Sequence, residues 1–383
     1  MEMFYQVYVW SLQWAGLGVN PDRDHLGKLF SATHHPARWK VAGERICGEY
    51  VAAFSELRGD WKWQKEALFL REHYNVNRMC HYCRAHKRIR RLIYTQFSRS
   101  SRLRQTRYTW RQIRDWLSSD EFKGWLYYIP GFSTLRCWVD ALHCLDLGIL
   151  QSIIPSALAE LVDEGVWAGG NRDEQYLRAH KDYRRWCNSK GEVPCPKFKA
   201  SKWRPPGDFP MLTQGLAKGH MTRMLQFWVR DVCIRHGITK SAHGRIRLAM
   251  LEALCLYDVI CSRNTRFLVA EDVELLKDAA ETALICFNAL AVESVGRDEL
   301  LWQMKPKAHM LTHQAFDQAE WANPRVVHCY SDEDMLGRIK KMLHRCHGAT
   351  AGRRATHRYF IMFGVRLWRM LWKLRAAQLM LDD

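Results

Sequence analysis

No secretory leader opens this chain. MEMFYQVYVWSLQW lacks both a basic start and a small-residue cleavage site. The 13 cysteines are odd in number and scattered from Cys47 to Cys346. Together these features set aside a disulfide framework and point to free thiols in a reducing, intracellular setting. No apolar run reaches the length of about 18 residues that a spanning helix needs, so no membrane partner is expected. Internal repeats and low-complexity tracts are also missing, which excludes a repeat array. Acid is scarce: 40 Asp and Glu stand against 58 Lys and Arg, for a net charge of +18.

What is present is basic, aromatic and long enough for a packed core. The 383 residues are 48% hydrophobic and include 17 tryptophans. An excess of cations favours polyanionic partners through counterion release and steering. The excess is concentrated. Residues 84–114 hold eleven Lys or Arg and no acid, among them Lys87, Arg88, Arg90, Arg91, Arg99, Arg102, Arg104 and Arg107. Tyr94, Phe97, Tyr108 and Trp110 interrupt the run. A charged run is usually a solvated helix face. Here no acid balances it, and arginine interleaved with aromatics suits phosphate contacts plus stacking, so we expect this window to bind nucleic acid.

Periodicity divides the chain into a mixed first part, a helical middle and a mixed tail. Residues 3–16, aromatic and β-branched, predict a strand. VAAFSEL predicts a second strand, ending at Gly59-Asp60, and WKWQKEALFLREHY a helix. From Trp138 the pattern is helical for about 160 residues. The run from Trp138 to Trp167 predicts one helix, kinked or split at Pro155. Another helix and a Pro-rich basic linker (191–213) follow, then three more amphipathic helices whose apolar stripes suit a bundle core. The basic Arg/Trp helix at the end is a further surface for DNA. The expected domains are 1–135, 136–300 and 301–383.

Three groups of residues carry candidate chemistry. Asp60 at a strand end and the acidic knot Asp332-Glu333-Asp334 offer carboxylates for hard divalent cations. The plain alternative for Glu333 is an acid favoured by a helix N-terminus. Cys80-x-x-Cys83 puts two thiols within reach of one Zn²⁺, and Asp140-x-x-His143 could complete a tetrahedral site. His81, His86 and Cys144 are rival ligands, and two buried free thiols with a core histidine are the plain alternative. The third group is KPKAH with His313. Its two histidines, His309 and His313, stand at i and i+4 without the Glu of a metalloprotease motif, and read as DNA-facing or structural.

The order of these features resembles the DDE transposases of the CACTA (En/Spm) group. Gly59-Asp60, RMCHYC, DALHCLDLG, KPKAHMLTH and CYSDEDMLGRIKK follow one another as that family's motifs do, over roughly residues 50–350. The last aligns without gaps, so Glu333 takes the acidic position, with Gly337 and Lys340 in register, and Lys340 and Lys341 are further expected DNA contacts. The resemblance implies an α-rich α/β fold, with an RNase H-like mixed sheet interrupted by a large helical insertion. It implies Mg²⁺- or Mn²⁺-dependent DNA cleavage and strand transfer in the nucleus, with Asp60 and Glu333 as catalytic metal ligands. Cys80, Cys83, Asp140 and His143 would hold Zn²⁺ or pack structurally. DNA is the expected partner, and a second copy of the chain a further candidate.

Two departures bear on catalysis. The family's first Asp lies on a strand ahead of the region where this chain begins. No matching Asp stands between Met1 and Asn20, and Asp22 and Asp24 fall in a turn-rich loop. An N-terminally truncated, decayed or domesticated derivative is therefore expected. The Pro-Ala that follows Gly-Asp in the family is Trp61-Lys62 here. The competing expectations are a non-catalytic, mainly helical nucleic-acid-binding protein and a zinc-stabilised helical scaffold for protein partners.

Overall fold

The computed structural model describes residues 2–118, 124–237, 241–263, 265–346 and 348–379. Helices α1 (Glu2–Leu17) and α2 (Pro36–Val41) precede strand β1 (Leu57–Gly59). Helices α3 (Trp61–Ala67) and α4 (Trp110–Leu117) come before strand β2 (Cys137–Val139). The two strands pair in parallel, with Leu57 opposite Cys137 and Gly59 opposite Val139. They are the only strands of a named sheet among the described residues. The chain is therefore α-rich with a small parallel sheet.

Glutamine side chains serve the backbone of β2 where a third strand would pair. Val139 N donates to Gln318 Oε1 (3.0 Å), and Gln314 Nε2 donates to Val139 O (2.8 Å). The hydroxyl of Tyr82 donates to Cys137 O. A buried edge left unpaired would be costly, and these groups remove that cost.

After β2 a π-helical run, Leu142–Ile149, continues into α5 (Leu150–Asp163). Pro155 sits inside α5, and every residue from Leu150 to Val162 is buried. Pro155 cannot donate to the carbonyl of Gln151. Leu212 N takes that carbonyl instead, at 2.9 Å. Among the described residues, Leu142–Asp163 is the one helical stretch long and apolar enough to cross a membrane, contrary to the expectation from sequence. Of its most apolar window 94% is buried inside the protein, as in a core helix.

Around it stand α6 (Arg172–Lys190), the short α7 (Ala200–Trp203), α8 (Gly219–Arg235), α9 (Ala242–Cys261) and α10 (Ala270–Gly296). Helix α10 packs along α9, and α8 lies against both α5 and α9. Helix α11 (Lys307–His313) runs into a second π-helical turn, Gln314–Gln318, and both return to the sheet. Helices α12 (Tyr330–Leu343) and α13 (Ala351–Leu379) make up most of a separate unit. By internal contacts the units are Met1–His328 and Cys329–Asp383. The boundaries expected near 135 and 300 run through the first unit, because β1 pairs with β2 and α11 packs on the π-helical run.

Residues 3–16 correct the sequence reading: they form α1, not a strand. Composition favoured a strand, but no described strand pairs with this segment. A helix satisfies its own backbone, which an unpartnered strand cannot. VAAFSEL likewise contributes only Leu57 to β1, and the segment before it has no regular secondary structure.

Candidate metal centre

The Cys80-x-x-Cys83 turn folds tightly on itself. Met79 N donates to Ala85 O (3.1 Å), and Tyr82 N donates to the Cys80 sulfur (3.3 Å). The two thiols meet His309 and His313 from α11, one helical turn apart and so on one face. Cys80 Sγ lies 3.3 Å from His313 Nε2, and Cys83 Sγ 3.2 Å from His309 Nε2. The two Nε2 atoms are 3.1 Å apart, and all four donor atoms fall within 4.8 Å of one another. All four residues are buried.

This donor set fits a tetrahedral Zn²⁺. Bond lengths of about 2.3 Å to sulfur and about 2.0 Å to nitrogen give S–N edges of about 3.5 Å. Asp317 accepts from His313 Nδ1 (2.7 Å), which leaves Nε2 for the thiols. Arg104 and Arg107 pair with the same carboxylate. Burial opposes charge on Asp317, yet His313 and Arg104 bring its pKa down to about 2. Burial also opposes a charged His313, but Asp317 and Cys83 carry its pKa above the ordinary value. Hydrogen bonds from Cys80, and then from His309 and His313, hold the Cys83 thiol far below its ordinary pKa.

The sequence assigned Asp140 and His143 to this centre, and the structure places them elsewhere. It also corrects a DNA-facing role for His309 and His313, which are buried among the thiols. His81 is buried beside Tyr82, with burial pulling its pKa to about 3, and is not one of the four.

Asp140 follows β2 as Asp60 follows β1, so the strand register brings both to the same end of the sheet. They line a cleft of about 300 Å³ with His143, Lys307 and Lys62. Asp60 caps α3, accepting from Trp63 N at 2.6 Å. Gly59 is required just before it, because a Cβ there would stand 2.3 Å from the Trp63 ring. Gln64 Nε2 donates to Gly59 O (3.1 Å) and Trp138 O (2.8 Å), joining the two strands beside the cleft.

Asp140 is a cap as well. Its carboxylate accepts from Leu142 N and His143 N, both at 3.1 Å, and from His143 Nδ1. Burial opposes a charged His143, but Asp140 and then Asp60 raise its pKa, against Lys307. Burial pulls Lys307 below the ordinary lysine range, against the attraction of Cys144, Asp60 and Asp140. The π-helical run sets this wall. Leu147 leaves helical geometry inside it, and Lys307 Nζ donates to the Leu147 carbonyl (3.3 Å). Gly148 allows the approach, since a Cβ there would meet His143 O at 2.6 Å and Lys307 at 2.8 Å.

No known protein family, curated protein or solved structure matches this chain.

The remaining sequence candidates fall into three groups. Glu333 lies in the first turn of α12, within the unit Cys329–Asp383, and Lys340 and Lys341 are exposed in its last turn. In the basic window, Arg88, Arg90, Arg91 and Arg102 are exposed and have no acidic partner among the described residues. Lys87 is half-buried, with Nζ donating to Tyr74 O. Arg99, Arg104 and Arg107 depart from the expectation. Arg99 meets Glu274, Asp278 and Glu281 of α10, while Arg104 and Arg107 meet Asp317. These three hold the window onto the helical body. Most of the window is also not a helix: short 3₁₀ turns at Arg90–Leu92 and Arg102–Thr106 carry it as far as Trp110, where α4 begins.

Proposed function

We propose that this chain acts on DNA in the nucleus as a metal-dependent strand-cleaving and strand-transferring protein of the CACTA-like DDE transposase type. In this reading β1 and β2 belong to an RNase H-like core, Asp60 is an acid that holds Mg²⁺ or Mn²⁺ in the cleft, and Glu333 is the acid candidate carried by the unit Cys329–Asp383. The single observation that supports it most is the strand register. Gly59 opposite Val139 puts Asp60 in one cleft with Asp140, His143 and Lys307, at the C-terminal ends of parallel strands.

The residues divide the work by chemistry. Asp60 uses one oxygen to cap α3, and its other oxygen accepts no hydrogen bond from a described residue. Carboxylate oxygens are what hard divalent cations require. Such an ion, when bound, would supply an activated water and offset negative charge on the phosphate oxygens. Lys62 and Lys307 offer cations to phosphate oxygens in the cleft. Asp140 fixes the orientation of His143, which keeps its proton to higher pH than a free histidine. The thiol–imidazole quartet is structural, pinning the basic window to the body beside the sheet.

The test pairs Asp60→Asn with Glu333→Gln. Asparagine still caps a helix, so the fold is kept. Each variant should bind DNA as wild type does, while Mg²⁺-dependent nicking falls on the order of 100-fold or more, as when one electrostatic stabiliser of a transition state is lost. Nicking that survives both changes would falsify the assignment. One observation favours a second reading, a binding protein without catalysis: Asp60 and Asp140 both cap helices, a purely structural use. Wild-type protein that binds DNA but never nicks it under Mg²⁺ or Mn²⁺ would establish that reading instead.

A further inference from the structure

A second and larger cavity, of about 760 Å³, opens at the other end of the two strands. Ser55, Glu56, Leu135 and Arg136 line it where β1 and β2 begin, while Asp60 and Asp140 stand where they end. Three residues at about 3.3 Å each separate the two openings by about 10 Å along the strands.

The wall combines exposed rings with guanidinium groups. Trp321 is 72% exposed, Phe267 65% and Trp110 49%. Large aromatics usually bury themselves, so three exposed in one concavity mark a binding surface. Arg107, Arg136 and Arg266 stand among them. Arg107 is held by Asp317, and Arg136 donates to Phe54 O. Arg266 has no acidic partner among the described residues, and its guanidinium lies 5.8 Å from the Phe267 ring centroid. Of the acids in the wall, Asp317 and Glu320 are engaged by cations of the protein, and Glu56 remains as an acceptor.

The two loops that carry Phe267 and Trp321 are tied to each other within the fold. Asn323 is fully buried, and its Nδ2 donates to the carbonyls of Cys261 (3.0 Å), Arg263 (3.0 Å) and Thr265 (3.2 Å). Its backbone N donates to Arg266 O (2.9 Å). One side chain thus ties the Arg266–Phe267 loop to the Trp321 segment. Tyr82 and His313, the latter one of the four residues of the thiol–imidazole quartet, also line the cavity.

We infer that this cavity takes an unpaired nucleobase of a DNA strand, stacked on Trp321 and Phe267, with its flanking phosphate on Arg266. Every base has a π-face, and arginine adds both charge and stacking, so the chemistry fits a nucleotide of any sequence. A purely apolar ligand would leave the guanidinium groups idle, and a simple anion would leave the rings idle. The inference rests on the nucleic-acid reading above but not on metal-dependent chemistry.

The test uses the full chain and four probes: a 12-nucleotide DNA strand, the same strand with every base replaced by an abasic residue, a blunt 12-base-pair duplex, and AMP. Binding is read by fluorescence anisotropy for the DNA and by tryptophan quenching for AMP. The base-bearing strand should bind on the order of ten-fold more tightly than the abasic strand. Trp321→Ala and Phe267→Ala should each reduce that preference while leaving abasic-strand affinity unchanged. Both side chains are exposed, and melting curves verify that the variants stay folded. Arg266→Ala should weaken both strands alike.

Equal wild-type affinity for the two strands overturns the inference, as does a preference that survives both aromatic substitutions. Saturable AMP binding that needs Trp321, without a preference for the base-bearing strand, would assign the cavity to a free nucleotide and overturn the strand assignment. Salt-sensitive binding of every DNA probe with no effect of bases sinks this inference alone. Absence of binding to any DNA sinks the nucleic-acid reading with it.

Discussion

Cys83 and His309 meet across 226 positions of chain, and Cys80 and His313 across 233. Losing one donor from such a quartet removes an ion that contributes folding free energy outright. Cys83→Ser should therefore lose about one equivalent of zinc by elemental analysis and melt at a lower temperature. A chelator should lower the melting temperature of wild type but not of the variant. Asp317→Asn tests the partner of His313. Zinc affinity should fall about 10- to 100-fold with the four donors intact, measured by competition with a chromogenic chelator. At this scale the thiol pair was legible, because Cys-x-x-Cys is a local spacing. Its partners were not. His309 and His313 carry a visible i, i+4 spacing, but nothing in the sequence says which distant pair faces which. Asp140 and His143 were nearer in the chain, and they serve the carboxylate cleft instead.

Helices α5 and α9 join through buried charge. Arg247 is fully buried and meets Glu160 (2.8 Å) and Glu164 (2.7 Å), while Trp302 Nε1 donates to Glu160 at 2.8 Å. Removing one member of a buried pair leaves the other charge uncompensated. Arg247→Ala should cost about 3–5 kcal/mol in denaturant unfolding, far more than replacing an exposed arginine. His243 adds a pH dependence. Its two ring nitrogens meet Glu160 (2.8 Å) and Glu293 (2.9 Å). The bond to Glu160 raises its pKa most, against burial, with Glu293 adding to the rise. A raised histidine pKa stabilises fully below the unfolded value of about 6.5, and that stability is lost as pH rises through the folded value. The melting temperature of wild type should therefore decline above about pH 6.5, and His243→Gln should flatten that decline. The bundle helices were legible because their apolar periods are long. Helix α1 was not, because its composition favours a strand and only the absence of a pairing strand decides against one. Residues 51–56 failed for the same reason.

The molecule as a whole carries +18 charges, but not all of them are available to a polyanion. Replacing Arg88, Arg90 and Arg91 together should weaken DNA binding and flatten the plot of log affinity against log salt by about 2–3 units, since each phosphate contact contributes about 0.9. Arg99→Ala should leave that slope nearly unchanged and instead lower the melting temperature, because Arg99 binds α10. Composition could locate the basic window but could not tell these arginines apart, since the acids that claim Arg99 and Arg104 come about 180 to 210 positions later.

The closing of the metal quartet also has a consequence for biosynthesis. The ribosome must deliver His313 before the quartet is complete, by which time Cys80 and Cys83 have long since left the exit tunnel. Those two thiols spend most of translation without their imidazole partners, open to oxidation or to the wrong metal. Expression yield should therefore respond to zinc supply and thiol reductant during growth more than to either added after lysis.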